Sequence, residues 1–169
     1  MNALTAAWRL LRATLHVLGG VLTVMLRFGA LDEQGKRQRV QAWSLRLLER
    51  LGVTLAVHGL PKPGAKLVVA NHISWLDVAA VHAVMPEARF VSKADVKHWP
   101  VLGAMVAGAG TLFIEREKKR DALRVVHQMA EAMKAGDTVA VFPEGTTGDG
   151  RALLPFHANL LQAAIATET

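Results

Sequence analysis

The sequence predicts an α/β domain with a largely parallel sheet and flanking helices, preceded by N-terminal helices that associate with a membrane. Three observations lead there. From residue 53 onward, short apolar runs alternate with helix-length amphipathic stretches, the pattern of a parallel sheet. Stretches rich in reactive side chains follow three of those runs. The first third of the chain is apolar and basic, with neither property of an ordinary loop or linker.

The N-terminal third is read first. In "ALTAAWRLLRATLHVLGGVLTVMLR" the apolar part, "ATLHVLGGVLTVML", has 14 residues. That falls short of the roughly 20 needed to span a bilayer. Arg9, Arg12 and His16 interrupt it and Arg27 closes it. No small-x-small cleavage site precedes the polar "DEQGKRQR", as a signal peptide would require. A core helix fits the pattern; a membrane-embedded or interfacial helix fits it better, with Gly19-Gly20 as the place where it could bend. In "GKRQRVQAWSLRLLERLG", Val40, Trp43, Leu47 and Leu51 recur at helical spacing, and Leu45 and Leu48 widen the stripe. Lys36, Arg37, Arg39, Arg46 and Arg50 take the other faces, so this helix can lie on an anionic surface. Gly52 ends it.

The α/β part follows. "VTLAVHGL" alternates weakly and reads as a strand; "PKPG" is a turn. "KLVVA" is a continuous apolar run, expected to be a strand buried on both faces. "SWLDVAAVHAVM" is a helix, "ARFVSK" a strand, "VLGAMVAGAG" a tightly packed helix and "TLFIER" a strand. "KKRDALRVVHQMAEAMKAG" is a helix ending at Gly136, "DTVAVFPEG" a strand running into a loop, and "HANLLQAAIAT" a last helix. The expected division is 1–58 for the membrane-associating helices and 59–169 for the α/β domain.

Composition narrows the function. The 169 residues suffice for one domain with a real core. There is no Cys, hence no disulfide, Cys metal ligand or Cys nucleophile. A formal charge of +6 points to an anionic partner: nucleic acid, anionic lipid or a phosphorylated substrate. Aromatic residues make up 5% and are not interleaved with the basic ones, which disfavours a stacking platform for nucleic acid.

Ligands of such sheets gather at the carboxyl ends of the strands. There lie "NHISWLD", the "ER" of "TLFIER" and "FPEGTTGDG". His72 and Asp77 are five apart, about 140° around a helix, so they cannot face each other if both are helical. "SWLD" also fits a capping box, with Ser74 as N-cap and Asp77 at the third helical position. A carboxylate there reaches back towards the loop that holds His72. Capping and catalysis therefore share one geometry, and the spacing alone is compatible with either. In the catalytic case Asp77 fixes the imidazole tautomer and leaves the other nitrogen as a base for a hydroxyl attacking a carbonyl.

These residues carry a resemblance. "NHISWLD" resembles the N-H-x-x-x-x-D motif of the glycerolipid acyltransferase family, 1-acylglycerol-3-phosphate acyltransferases among them. "GTLFIER" resembles its second motif, ending in Arg116, and "FPEGTT" its third, with Phe142, Pro143, Glu144, Gly145 and Thr146. "SKADVKHWPVLG" resembles its Lys-containing stretch, with Lys93, Pro100 and Gly103 in place. The likeness covers roughly residues 60 to 160.

The resemblance implies a membrane-associated O-acyltransferase at the cytoplasmic face of the inner or plasma membrane. It would move an acyl group from acyl-CoA or acyl carrier protein to the free hydroxyl of 1-acylglycerol-3-phosphate, giving phosphatidic acid. His72 would be the general base and Asp77 its orienting partner. Arg116 and Lys93 would hold the acceptor's phosphate; Glu144, Gly145 and Thr146 would shape the acceptor pocket. No metal and no resident cofactor are implied. The sequence departs from the family pattern at Thr147, where Arg is common, and at His157 and Asn159, where Lys and Gly are common. Those departures keep another lysolipid, such as lyso-ornithine lipid, among the acceptors. The family usually continues into a further strand beyond "AIATET". The expectation is therefore a C-terminally shortened domain, with a last helix lacking partners for its apolar positions. A non-catalytic lipid or acyl-carrier binding protein is the rival of a different class; a nucleic-acid module fits least, since the basic residues cluster with the apolar N-terminus.

Overall fold

A computed structural model describes residues 2–100, 102–114 and 119–167. Helix α1 (Ala3–Arg27) is continuous through Gly19 and Gly20. Asn2 caps it, its side chain accepting from Thr5 N at 2.8 Å. A 3-10 turn over Phe28–Ala30 leads to α2 (Glu33–Leu51), capped by Asp32, whose carboxylate accepts from Gly35 N at 2.8 Å. The two helices lie against each other through a reciprocal pair. His16 Nε2 donates to Trp43 O at 2.9 Å, Trp43 Nε1 donates back to His16 O at 3.2 Å, and the rings stack 5.3 Å apart. Gly20 is required there, because a Cβ at that position would collide with the Trp43 indole.

The outer face of α1 carries Leu4, Trp8, Leu11, Leu15, Leu18, Leu22 and Met25, alternately three and four residues apart and all exposed. This is one continuous apolar stripe about 30 Å long. Contrary to the shorter apolar count read from the sequence, the 28 residues Ala3–Ala30 are long and apolar enough, by length and composition, to cross a membrane. On α2, Leu47 and Leu48 are buried with Ser44, while Leu45 stays exposed on the solvent side.

Four strands form one parallel sheet in the order β1-β4-β2-β3: β1 (Lys66–Val69), β2 (Arg89–Lys93), β3 (Leu112–Ile114) and β4 (Thr138–Val141). Register is set by Leu67 opposite Val139, Phe90 opposite Ala140, and Val91 opposite Leu112. Helices α3 (Leu76–Val84) and α4 (Leu102–Gly108) follow β1 and β2, and α5 (Lys119–Lys134) follows β3. Strand β4 is buried on both faces. Val139 and Val141 pack towards α5 and the last helix, Ala140 towards α3. Val125, Met129, Ala132 and Met133 give α5 its core stripe. Helices α1 and α2 rest on α3 through Ala13, Leu47, Leu48, Ala79 and Ala83.

Three expectations are corrected. Residues 53–60 form no strand: they pass over the surface with Val53, Val57 and Leu60 exposed and only Leu55 turned into the helical cluster. Strand β1 is not buried on both faces, because it lies at an edge of the described sheet, and Val69 is 41% exposed. The chain's last helix is a 3-10 turn (Ala158–Leu161) running into α6 (Gln162–Thr167), and Leu160 and Ala163 do find partners, in α5. Ile165 on the outward side of that helix stays exposed, at 73%.

Candidate active site

Strands β1 and β4 are parallel neighbours whose last residues, Val69 and Val141, sit side by side. Ala70 N still donates to Val141 O at 3.2 Å. The loops that leave these two strands therefore start together, although 72 residues separate them in sequence. One brings His72, the other Phe142, Pro143 and Glu144.

His72 is held at four points. Its Nδ1–H donates to Asp77 Oδ2 at 2.9 Å. Its backbone N–H donates to Glu144 Oε2 at 2.6 Å, and its carbonyl accepts from Gly148 N at 2.7 Å. Its ring stacks on Phe142 at 4.0 Å and 13°. A carboxylate oxygen can only accept, so the Asp77 contact places the ring proton on Nδ1 and leaves Nε2 as the lone-pair nitrogen. Asp77 Oδ2 also accepts from Ile73 N at 2.7 Å and Ser74 N at 2.8 Å. The carboxylate at the start of α3 is thus both a helix cap and the orienting partner of the imidazole. The predicted capping box is half formed. Asp77 reaches back to Ser74 N, but Ser74 Oγ accepts from Leu76 N at 3.2 Å rather than from Asp77 N.

Glu144 is only 6% exposed, yet both its oxygens are satisfied: Oε2 by His72 N, and Oε1 by Leu154 N at 3.0 Å. It ties the β1 loop, the β4 loop and the 152–154 segment into one unit. Gly145 turns the chain at φ +70°, and a Cβ there would sit 3.1 Å from the His157 ring. His157 N in turn donates to Pro143 O at 2.8 Å. Thr146 and Thr147 lie exposed on the same turn. Between the loops opens a cleft of about 160 Å³, lined by Asn71, His72, Ile73, Glu144, Arg151 and Leu153 among others.

Behind the site, aromatic rings continue inward. Phe142 stacks on Phe90 at 5.4 Å, and Phe90 meets His82 edge-on at 5.0 Å. His82 is 5% exposed and its Nδ1 has no partner among the described residues. Burial lowers its pKa to about 4, opposed weakly by Glu87. It is a neutral core residue, not a second base.

A protein-family model described as Acyltransferase matches residues 54–169. The chain belongs to the acyltransferase family. It is 47% identical over 103 residues to a 1-acyl-sn-glycerol-3-phosphate acyltransferase of Neisseria gonorrhoeae, covering 61% of this chain and 40% of the relative. It is 38% identical over 140 residues to a lyso-ornithine lipid O-acyltransferase of Pseudomonas aeruginosa, covering 82% of this chain and 54% of the relative. It thus spans about half the length of these curated relatives. Its fold is that of the crystal structure of the 1-acyl-sn-glycerophosphate acyltransferase PlsC from Thermotoga maritima, with a TM-score of 0.75 at 22% identity, over 98% of this chain and 70% of that one.

Within this acyltransferase fold, the sequence-predicted residues divide. His72, Asp77, Glu144 and Gly145 are brought together, and Thr146 stands beside them on an exposed turn. Lys93 ends β2; Arg116 lies outside the described residues. Phe142 is visible as a motif residue, but its role as the platform under His72 is not, and Arg151 on the cleft wall carries no signal in the sequence.

Proposed function

We propose that this chain carries out O-acyl transfer from a thioester to the hydroxyl of a lysolipid at a membrane surface. The observation that supports this most is the contact of His72 Nδ1 with Asp77 Oδ2 at 2.9 Å at the wall of a cleft, which leaves Nε2 to act. In the proposed step, Nε2 takes the proton of the acceptor hydroxyl as its oxygen attacks the thioester carbonyl. The carbon–sulfur bond then breaks, and the imidazolium returns the proton to the departing thiolate. No acyl-enzyme and no cofactor are needed. Asp77 stabilises the imidazolium and holds the tautomer. Glu144 acts by fixing the His72 backbone, and Arg116 and Lys93 remain the proposed binders of the phosphate of a phosphate-bearing acceptor.

The relatives supply two acceptors: 1-acyl-sn-glycerol-3-phosphate, from the more identical alignment, and lyso-ornithine lipid, from the alignment that reaches further along the chain. The donor is acyl-CoA or acyl carrier protein. The stripe on α1 and the basic face of α2 support docking on an anionic membrane; the cytoplasmic face is proposed from the family resemblance alone. The test is thiol release from each donor by the purified protein, against a panel of lysolipids. The reading expects release matched one to one by acylated lipid. Lipid binding without any release would make this a binding protein instead.

A further inference from the structure

Beyond the base, the cleft has one permanent cation on its described wall, Arg151. Its side chain is 90% exposed and among the described residues pairs only with Asp149, Nε to Oδ2 at 3.9 Å. Asp149 does more than neutralise it: Oδ1 accepts from Arg151 N at 2.9 Å, so one carboxylate fixes the turn that presents the arginine. Arg151 lines the cleft and Asp149 stands beside it just outside the lining, opposite in sign and two residues away. An exposed pair at that separation is weak and readily exchanged for a ligand's charges. Among the described residues, the surroundings of Arg151 are not those of a phosphate cradle. Glu144 lines the same cleft, Asp77 lies behind His72, and the neighbouring turn carries the neutral Thr147. A doubly negative headgroup placed on Arg151 would also meet Asp149.

We infer that Arg151 and Asp149 form a subsite for a zwitterionic, amino-acid headgroup: the acceptor's carboxylate on the guanidinium and its ammonium on Asp149. This rests on the lysolipid reading and names its acceptor class, of which lyso-ornithine lipid is the member at hand. Arginine suits the first half because its planar fork takes a carboxylate by two parallel hydrogen bonds. Asp149 suits the second because a carboxylate accepts from an ammonium without a change of shape. Gly148 and Gly150 flank Asp149, and Gly150 turns at φ +77° close to Ile73 of the cleft wall.

The experiment compares three acceptors: lyso-ornithine lipid, the same lipid with its free amine acetylated, and 1-acylglycerol-3-phosphate. The protein is wild type, Arg151→Ala, Arg151→Lys and Asp149→Asn. Wild type should prefer the unmodified lyso-ornithine lipid. Arg151→Ala should lower kcat/KM for both ornithine acceptors about tenfold, mainly through KM, with Arg151→Lys recovering part of it. Asp149→Asn should lower kcat/KM about tenfold for the free-amine lipid alone, and should not impair the phosphate acceptor. An equal effect of Asp149→Asn on the free and acetylated lipids, or a wild-type preference for the phosphate lipid, overturns the inference while leaving acyl transfer intact. If no acceptor is acylated, the catalytic reading fails. The subsite is then judged by binding of the three lipids in detergent micelles to wild type and Asp149→Asn, where the same selectivity is expected and its absence overturns the inference.

Discussion

Replacing Glu144 by Gln isolates the link between the buried clamp and the base. Glu144 accepts two backbone hydrogen bonds, from His72 N at 2.6 Å and Leu154 N at 3.0 Å, and is 6% exposed. A glutamine of the same length has one carbonyl oxygen and can replace one of them. The other N–H then faces an amide NH₂, donor against donor, away from water. One charge-assisted bond lost and one buried donor left unsatisfied together cost about 2–4 kcal/mol. For a chain of this size that lowers Tm by roughly 5–15 °C. The lost bond should fall on the His72 loop or on the 152–154 segment, and either loosens the cleft wall. Turnover in the thiol-release assay should therefore fall as well, even at a temperature where the variant is fully folded by circular dichroism. Glu144→Asp should do similar damage, since a shorter arm cannot reach both amides. If Glu144→Gln keeps both its melting temperature and its turnover, the carboxylate is not the clamp described.

Further outcomes follow from the same geometry. Burial lowers the His82 pKa to about 4 from an unfolded value of 6.5, so between these limits the unfolded chain binds a proton that the folded chain refuses. Stability should be full above pH 6.5 and fall by about 3 kcal/mol towards pH 4; denaturant titrations should show this, and His82→Leu should flatten that part of the profile. Replacing Leu15 and Leu18 of the α1 stripe by Gln removes two exposed apolar side chains without touching the α2 contact. Partition onto anionic vesicles should weaken on the order of 100-fold, and unchanged partition would move the membrane contact elsewhere.

The sheet and the pairing at its edge were legible for physical reasons that can be named. Strand β4 announces itself because a strand covered on both faces must be apolar throughout, and "TVAV" leads directly into a polar, Gly-rich loop. The same logic misplaced "VTLAVHGL": alternation describes a strand only when a neighbouring edge accepts its hydrogen bonds, and a sequence does not state where edges are. The His72–Asp77 contact was readable since cap and orienting carboxylate occupy one position at the start of a helix. The clamp was not. Glu144 and His72 are 72 residues apart, and only the order β1-β4 makes them neighbours. Phe142 was visible as a motif residue, but its stacking under the imidazole depends on the same adjacency. Arg151 follows a Gly-rich turn with no periodicity to single it out.

The most direct measurement is acyl transfer by His72→Ala beside wild type, with thiol release and acylated lipid followed together. His72 sits in a loop at the cleft wall, so the variant should fold and bind vesicles as wild type does. Its rate should drop on the order of 10² to 10⁴-fold, the usual contribution of a general base. Wild-type turnover in a folded His72→Ala protein would contradict the account at its centre, because no other described group stands where Nε2 does.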